Sequence, residues 1–389
     1  MAKTNARKIN ELLSRGVEQV IDRGHLKNRL LAGEKLRIKF GVDPTSPDIH
    51  LGHAVSLRKL KEFQALGHFI VFIIGDFTAQ IGDPSGRMGA RIPLTHQEVS
   101  KNAKTYIEQV GKILDIKKTE IVYNSKFLSN MSFAEFFRLT QFFTVNQMVE
   151  RDMFQKRKEK EKPIWLHEFL YPILQAYDSV QTKADVEIGG NDQLFNMLAG
   201  RTLQPHFNQN PQDIMTVKIL TGIDGKQKMS KTLANYIGIT DDPIDQYGKT
   251  MSIPDELIES YFELCTDIPI GELKNLLPRD AKAKLASEIV KTYHGKKDAL
   301  AAEKEFNKIF REGGLPAEIP QAAVKEKNLN ILDLIIKAGL APSKAEARRL
   351  VEQGGVKIDE QTQKDWRKEV EIKKGSVIRV GKRRFAKIT

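Results

Sequence analysis

Two histidines flank a glycine in the segment Asp43-Pro44-Thr45-Ser46-Pro47-Asp48-Ile49-His50-Leu51-Gly52-His53. Alternating Leu36, Ile38, Phe40 and Val42 predict a strand over residues 35–42 just before it. A helix is expected over residues 53–66, with Gly67 as its C-terminal cap. The histidines then fall at the carboxyl end of a strand and the mouth of a helix, where free N–H groups and the positive dipole end suit phosphate. Gly52 lets a ligand approach the backbone, and two imidazoles can donate hydrogen bonds to a charged phosphate. A helix cap followed by two surface histidines is the plain alternative.

A second cluster is Gly225-Lys226-Gln227-Lys228-Met229-Ser230-Lys231-Thr232, after the turn signal Gly222-Ile223-Asp224-Gly225. Three lysines on a glycine-led loop can neutralise a leaving pyrophosphate, although alone the segment also fits a basic surface loop. Gly248-Lys249-Thr250 lacks the earlier glycine of a Walker loop, and there is no G-x-G-x-x-G fingerprint.

A third cluster lies on a helix predicted over residues 165–180. It is apolar nearly all round, so it belongs in a core. Yet Tyr171, Gln175 and Asp178 share one face at intervals of four and three. A buried polar stripe must find partners, either across the core or in a polar small molecule. Residues 82–86, Gly-Asp-Pro-Ser-Gly, and residues 189–193, Gly-Gly-Asn-Asp-Gln, are glycine-containing loops with a carboxylate poised for an ammonium or ribose. Each also fits a tight turn with a helix cap.

Such groups need a scaffold. The unbroken apolar run at residues 69–74 reads as a strand covered on both faces. Strand–helix–strand order points to an α/β, Rossmann-like doubly wound parallel sheet, which binds ligands at the carboxyl ends of its strands. Further strands are expected over residues 184–188 and 213–220. Residues 1–20 read as one amphipathic helix with Ile9, Leu12, Leu13, Val17 and Val20 on one side. Residues 95–162 read as mainly helical, and the charge run 155–162 as a solvated, mobile loop. A capping box at Ser132 and Glu135 precedes an aromatic-rich helix over residues 133–143.

The chain has 389 residues and a formal net charge of +12, so two or three domains and a polyanionic partner are expected. Residues 329–389 hold 15 Lys and Arg against 8 Asp and Glu. They read as helices over residues 331–337 and 344–353, then strands near 356–358 and 377–380. The single cysteine, Cys265, excludes an intramolecular disulfide and a cysteine-pair zinc site, and fits a reducing compartment. No apolar run approaches the roughly 18 residues of a membrane helix. The N-terminal residues lack the apolar core of a secretory signal, so a cytoplasmic protein is expected.

Taken in order, these segments resemble the class I aminoacyl-tRNA synthetases, and within them the bacterial tyrosyl-tRNA synthetase family. Residues 50–53 look like the first signature of the class, and residues 228–232, Lys-Met-Ser-Lys-Thr, like the second. Residues 171–178, Tyr-Pro-Ile-Leu-Gln-Ala-Tyr-Asp, resemble the family's tyrosine-pocket helix, and residues 189–193 its ribose and amino-acid loop. The segment at residues 343–350 resembles a small RNA-binding module shared with a small-subunit ribosomal protein.

The resemblance implies that the tyrosine carboxylate attacks the α-phosphate of ATP, giving tyrosyl-adenylate and pyrophosphate, before transfer to tRNA(Tyr). It places Thr45, His50 and His53 on the phosphates, and Lys228 and Lys231 on the pyrophosphate with Mg²⁺ assisting. Asp83, Tyr171 and Gln175 surround the substrate ammonium, and Asp178 takes the phenolic hydrogen. Gln193 lies near the carboxylate, and Gly190 and Asp192 near the ribose. Asp43, Gly52, Met229 and Ser230 complete the ATP site. No resident metal site is expected.

One departure is Lys39, which stands where many family members carry a tyrosine that also bonds the substrate hydroxyl. The implied domains are a catalytic domain over residues 1–235 with a helical insertion at about 95–165, a helical domain over 236–325, and a basic α+β RNA-binding module over 329–389. A linker is expected over residues 315–320. The family is dimeric, with the insertion at the interface. Neighbouring readings are a tryptophanyl-tRNA synthetase, a synthetase-derived RNA-binding or splicing factor, and a small-molecule nucleotidylyltransferase.

Overall fold

The computed structural model describes residues 2–85, 94–311, 319–324, 326–381 and 384–389. Gly86, which ends the 82–86 loop, and residues 315–318 of the expected linker lie outside them. The chain forms two compact units, Met1–Ala299 and Leu300–Thr389.

The first unit opens with α1 (Ala2–Leu12), β1 (Val17–Ile21), α2 (Arg23–Leu31), β2 (Arg37–Val42), α3 (Leu51–Ala65) and β3 (Phe69–Ile74). Next come α4 (His96–Val110), β4 (Thr119–Tyr123) and the helical insertion α5 (Ser125–Leu128), α6 (Phe133–Thr140), α7 (Val145–Val149) and α8 (Asp152–Glu159). It continues with α9 (Leu166–Thr182), β5 (Val186–Gly190), α10 (Leu194–Leu203), β6 (Asp213–Val217), α11 (Pro243–Met251), α12 (Ile258–Cys265) and α13 (Pro278–His294). The sheet order is β1-β6-β5-β2-β3-β4. Only the β1–β6 pairing is antiparallel. The chain thus winds outward in both directions from the β2–β5 pair, and the crevice between their carboxyl ends is the switch point where doubly wound sheets take ligands. The expected sheet is present.

Its core joins β3, whose last five residues are buried, to α3 and to residues of α12 and α13 such as Tyr261, Phe262, Leu285 and Ile289. Burying this apolar surface on both faces of the sheet is the main force fixing the strands in place.

Three expectations fail locally. The single helix over residues 1–20 ends at Leu12. Gly16 takes a positive φ of 66°, and Val17–Ile21 becomes an edge strand on β6. Val17 stays buried and Val20 half-buried against the same core; the register shift between Val17 and Gln19 breaks the strict two-residue alternation that would set them on opposite faces. The helical reading of 95–162 misses β4, which pairs with β3 from Ile70↔Thr119 to Ile74↔Tyr123. The charge run 155–162 is not a solvated loop: residues to Glu159 belong to α8, and Arg157 is fully buried against Glu168 at 2.8 and 2.9 Å. A buried arginine needs such a carboxylate partner, here reached by Nη1 alone.

The second unit takes in most of α14 (Lys296–Arg311), then β7 (Gln321–Ala322), β8 (Asn328–Asn330), α15 (Ile331–Lys337), α16 (Lys344–Glu352), β9 (Val356–Ile358), β10 (Gln361–Gln363), β11 (Glu369–Glu371), β12 (Val377–Val380) and β13 (Arg384–Ile388). Ser343 caps α16 by accepting from the Glu346 amide. Ile331, Ile335, Val351, Val356 and Ile378 form a separate core.

Candidate active site

Asp43 follows β2 directly. Its Oδ1 accepts from Thr78 Oγ1 at 2.7 Å and its Oδ2 from the Tyr171 hydroxyl at 2.9 Å. Gly75, at the end of β3, makes this possible: a Cβ there would collide with Asp43 Oδ1 and Thr78 Oγ1. The loop beyond Asp43 is tied to α4. Asn102 donates to the Pro44 carbonyl at 2.9 Å, and Gln109 donates to the Pro47 carbonyl at 2.7 Å while accepting from the Ile49 amide at 2.6 Å.

His50 is the N-cap of α3, and His53 lies one turn inside. Their rings stack at 3.8 Å between centroids. The His50 amide donates to His53 Nδ1 at 3.4 Å, which leaves the proton of neutral His53 on Nε2. Burial, the neighbouring imidazole and the nearby lysines push His50 down to about 2; burial and the same lysines push His53 down to about 4. Both rings are therefore neutral donors near pH 7.

The lysine loop reaches these histidines through backbone pairing. Leu51 N–H donates to Ile237 O at 2.9 Å, and Ile239 N–H donates to Ile49 O at 3.0 Å. Met229 N–H donates to Leu220 O at 2.9 Å, and Ser230 N–H to Asn235 Oδ1 at 2.8 Å. Buried Met229 packs beside Gly52. Lys228 Nζ lies 3.1 Å from Asp192 Oδ2, and Lys231 Nζ lies 3.0 Å from Asp48 Oδ2.

On α9, Tyr171 and Asp178 are buried and Gln175 is half-buried. Burial pushes the Asp178 carboxyl up to about 7, partly offset by the Lys39 ammonium. Asn124 Nδ2 sits 3.5 Å from each of its oxygens. Asp83 accepts from Gln193 Nε2 at 2.6 Å. Gly190 leaves room for the Asp192 carboxylate, which a Cβ would meet at 2.7 Å. Lys39 is fully buried. Its three N–H groups go to the Gln175 carbonyl at 3.0 Å, Ser179 Oγ at 2.7 Å and Glu187 Oε1 at 2.9 Å. It has no donor left for a ligand.

One cavity of about 900 Å³ is lined by Asp43, Thr45, His50, Gly52, His53, Asp83, Tyr171, Gln175, Asp178, Gly190, Asp192, Gln193, Lys228, Met229, Ser230 and Lys231. The sequence-selected residues thus all face one space, the histidines and lysines together at one end. Sequence reasoning missed Glu187, which also lines it, and Arg151, Asn124 and Asn196, which stand around it. Only Asn196 left a trace, as a polar residue one helical turn after Gln193.

A switch-point cavity with imidazoles at a helix mouth, a lysine loop and a polar stripe on a buried helix defines a class I aminoacyl-tRNA synthetase site. The family model described as tRNA synthetases class I (W and Y) matches residues 31–311, and that of the tyrosine–tRNA ligase SYY-like C-terminal domain matches residues 312–388. The chain is 48% identical to the tyrosine–tRNA ligase of Moorella thermoacetica, over 97% of this chain and 94% of that one. It is 50% identical to the tyrosine–tRNA ligase of Thermotoga maritima, over 97% and 96%. Among solved structures it resembles a C-terminally truncated mitochondrial tyrosyl-tRNA synthetase from Aspergillus nidulans, with a TM-score of 0.66 and 23% identity over 79% of this chain and 99% of that one. It also resembles the Archaeoglobus fulgidus tyrosyl-tRNA synthetase solved with L-tyrosine, with a TM-score of 0.63 and 23% identity over 77% and 99%. The chain belongs to the tyrosine–tRNA ligase family.

Proposed function

We propose that this chain, a tyrosine–tRNA ligase that makes tyrosyl-adenylate and pyrophosphate and then charges tRNA(Tyr), does its chemistry in the cavity described above. The observation that carries this reading is that His50, His53, Lys228 and Lys231 line the same cavity as Tyr171, Gln175 and Asp178. The tyrosine carboxylate is already ionised, so the work is alignment and charge stabilisation. Neutral His50 and His53, with Thr45, donate to the phosphates. Lys228 and Lys231 leave Asp192 and Asp48 to hold the departing pyrophosphate. Asp192 and Gly190 take the ribose. Asp83, Tyr171 and Gln175 hold the ammonium, Gln193 the carboxylate and Asp178 the phenol. Asp43, Gly52, Met229 and Ser230 shape the ATP site.

Mg²⁺ enters with ATP as its phosphate complex. Among the described residues no group of three His, Cys, Asp or Glu side chains could cage an ion. The basic C-terminal unit supplies positive charge for tRNA phosphates. Phe133, Phe137, Val145, Trp165 and Leu166 are exposed large apolar side chains on and beside the insertion, which fits a homodimer contact better than the core. No helix among the described residues is long and apolar enough to cross a membrane, and a cytoplasmic location is proposed.

Lys231→Ala tests the phosphate roles. ATP–pyrophosphate exchange is expected to fall by at least about a hundredfold, while equilibrium binding of tyrosine stays within twofold. Exchange at parental rate removes the lysine loop from the chemistry.

A further inference from the structure

Behind the cavity wall, Arg151 and Asn196 make a polar joint that the residue roles above do not use. Arg151 is the N-cap residue of α8, in the helical insertion. It is 6% exposed, and Asn196 on α10 is fully buried. Arg151 Nη2 donates to Asn196 Oδ1 at 3.1 Å and to Ser85 Oγ at 3.0 Å. Its guanidinium lies over the Phe195 and Phe154 rings, at 4.7 and 5.3 Å.

An arginine can only donate. The oxygen of Asn196 must therefore face Arg151, and its NH₂ must face the other way. There it meets Gln175 Oε1 at 3.1 Å and Gln193 Oε1 at 2.9 Å, with Ser85 Oγ at 3.3 Å. Both glutamines consequently present their NH₂ groups elsewhere. Gln175 Nε2 donates to Glu187 Oε1 at 3.1 Å, and Gln193 Nε2 to Asp83 Oδ2 at 2.6 Å. Each still has capacity toward the cavity: Gln175 Oε1 has a second lone pair, and Gln193 Nε2 a second hydrogen.

We propose that Arg151 and Asn196 are positioning residues that set the amide polarity of Gln175 and Gln193, so that an amino acid's ammonium meets an acceptor and its carboxylate a donor. This rests on the assignment of Gln175 and Gln193 to the substrate's head group. A free amide flips at little cost. An amide whose neighbour is locked by a cation does not, because flipping sets like against like at buried sites. Arg151 can only donate, and the Glu187 and Asp83 carboxylates at the far ends can only accept, so the chain Arg151–Asn196–Gln175/Gln193 is held in one polarity from both sides, with Asn196 as the link that Arg151 locks.

Asn196→Asp is the direct test. The carboxylate keeps its attraction to Arg151 but offers only acceptors to the two Oε1 atoms, so each glutamine either faces it unpaired or turns its NH₂ group inward and away from Glu187 or Asp83. Tyrosine affinity is expected to fall by at least about tenfold, with the ATP KM within twofold. Affinity for p-cresol, which has the phenol but neither head group, is expected to stay within twofold. A merely structural role would weaken both ligands together. Arg151→Met unlocks the same joint and is expected to lose tyrosine affinity. Arg151→Lys keeps a donor for Asn196 and should bind tyrosine at least threefold more tightly than Arg151→Met.

The proposal is overturned if Asn196→Asp and Arg151→Met bind tyrosine within twofold of the parent, or if p-cresol affinity falls in step with tyrosine. Gln175→Ala and Gln193→Ala separate the two levels. Parental tyrosine affinity in both overturns the head-group assignment itself, and the proposal with it. Losses there without losses in Asn196→Asp overturn the polarity proposal alone.

Discussion

At the end of the cavity that holds Asp178, charge is buried and bonded before any ligand arrives. Lys39 and Glu187 are nearly inaccessible, and Glu187 also accepts from Gln175, Ser179 and Gln212. At the end that holds the lysine loop, charge is parked at the surface. Lys228 pairs with Asp192 and Lys231 with Asp48 through side chains that are 20–49% exposed. A buried network is costly to rearrange, so it suits a shape that must not change between substrates. Exposed pairs contribute little and exchange readily, so they suit cations that must move onto a phosphate and off again. Selectivity and turnover are thus served by two kinds of electrostatics in one crevice.

The strongest way to break this contrast is Lys39→Ala. It leaves Glu187 buried without its cation, and stability is expected to fall by about 3–5 kcal/mol, read from the denaturant midpoint. A loss below about 1 kcal/mol, the range of an exposed pair, would show that the deep end is not built on buried charge. Second in size is Asp178→Ala. An unmet hydrogen bond from the phenol costs on the order of 1–3 kcal/mol, so the tyrosine KM should rise roughly tenfold to a hundredfold. The ATP KM should stay within twofold. Equal losses for both substrates would erase the distinction between the ends.

The sequence carries these two ends unequally. The histidine–lysine end was legible because its side chains sit in contiguous segments: residues 50–53 and 228–232 each hold theirs within one short stretch. The sheet was legible where periodicity was strong, as in the alternation before Val42 and the apolar run Phe69–Ile74. The deep end was legible only in its helical stripe, Tyr171, Gln175 and Asp178. Glu187, Arg151 and Asn196 come from a strand, the insertion and α10, and nothing local says that they meet. Lys39 is the clearest case. In sequence it stands where the resemblance expects a substrate contact, whereas in space it is the cation of a buried network and does not line the cavity. Arg157 misled for the same reason: one buried ion pair inside a run of charge has no compositional signature.

The two ends should also part in their response to pH. Asp178 holds its proton up to about 7, first because it is buried. Below that it ceases to be an anionic acceptor. The tyrosine KM is therefore expected to rise as pH falls from about 8 to 6, by up to about tenfold per unit below the midpoint. His50 and His53, pushed down to about 2 and 4, stay neutral throughout, so the ATP KM should be flat over the same range. The sign for stability follows from linkage. Unfolded, Asp178 releases its proton near pH 4, while folded it keeps the proton to about 7. Its contribution to stability is full below about pH 4 and is lost as pH rises to 7. A tyrosine KM that does not move between pH 6 and 8, measured in the parent and in Asp178→Asn, would remove the carboxylate from phenol recognition.

The smallest expected effect falls at the exposed end. Asp48 sits two residues before His50 and holds Lys231, whose ammonium also lies 5.9 Å from the Tyr236 ring centroid. Moving Lys231 onto a phosphate breaks this pair and leaves a carboxylate beside an anion, so Asp48 opposes ATP twice. Asp48→Asn is therefore expected to lower the ATP KM, and only by about two- to fivefold, since an exposed pair is worth roughly 0–1 kcal/mol. The gain should shrink at high salt, where exposed charges are screened, and vanish in a Lys231→Ala background. A rise in ATP KM would mean that Asp48 positions the lysine for ATP instead of holding it back. The exposed end would then be preorganised like the buried one, and the contrast between them would fail.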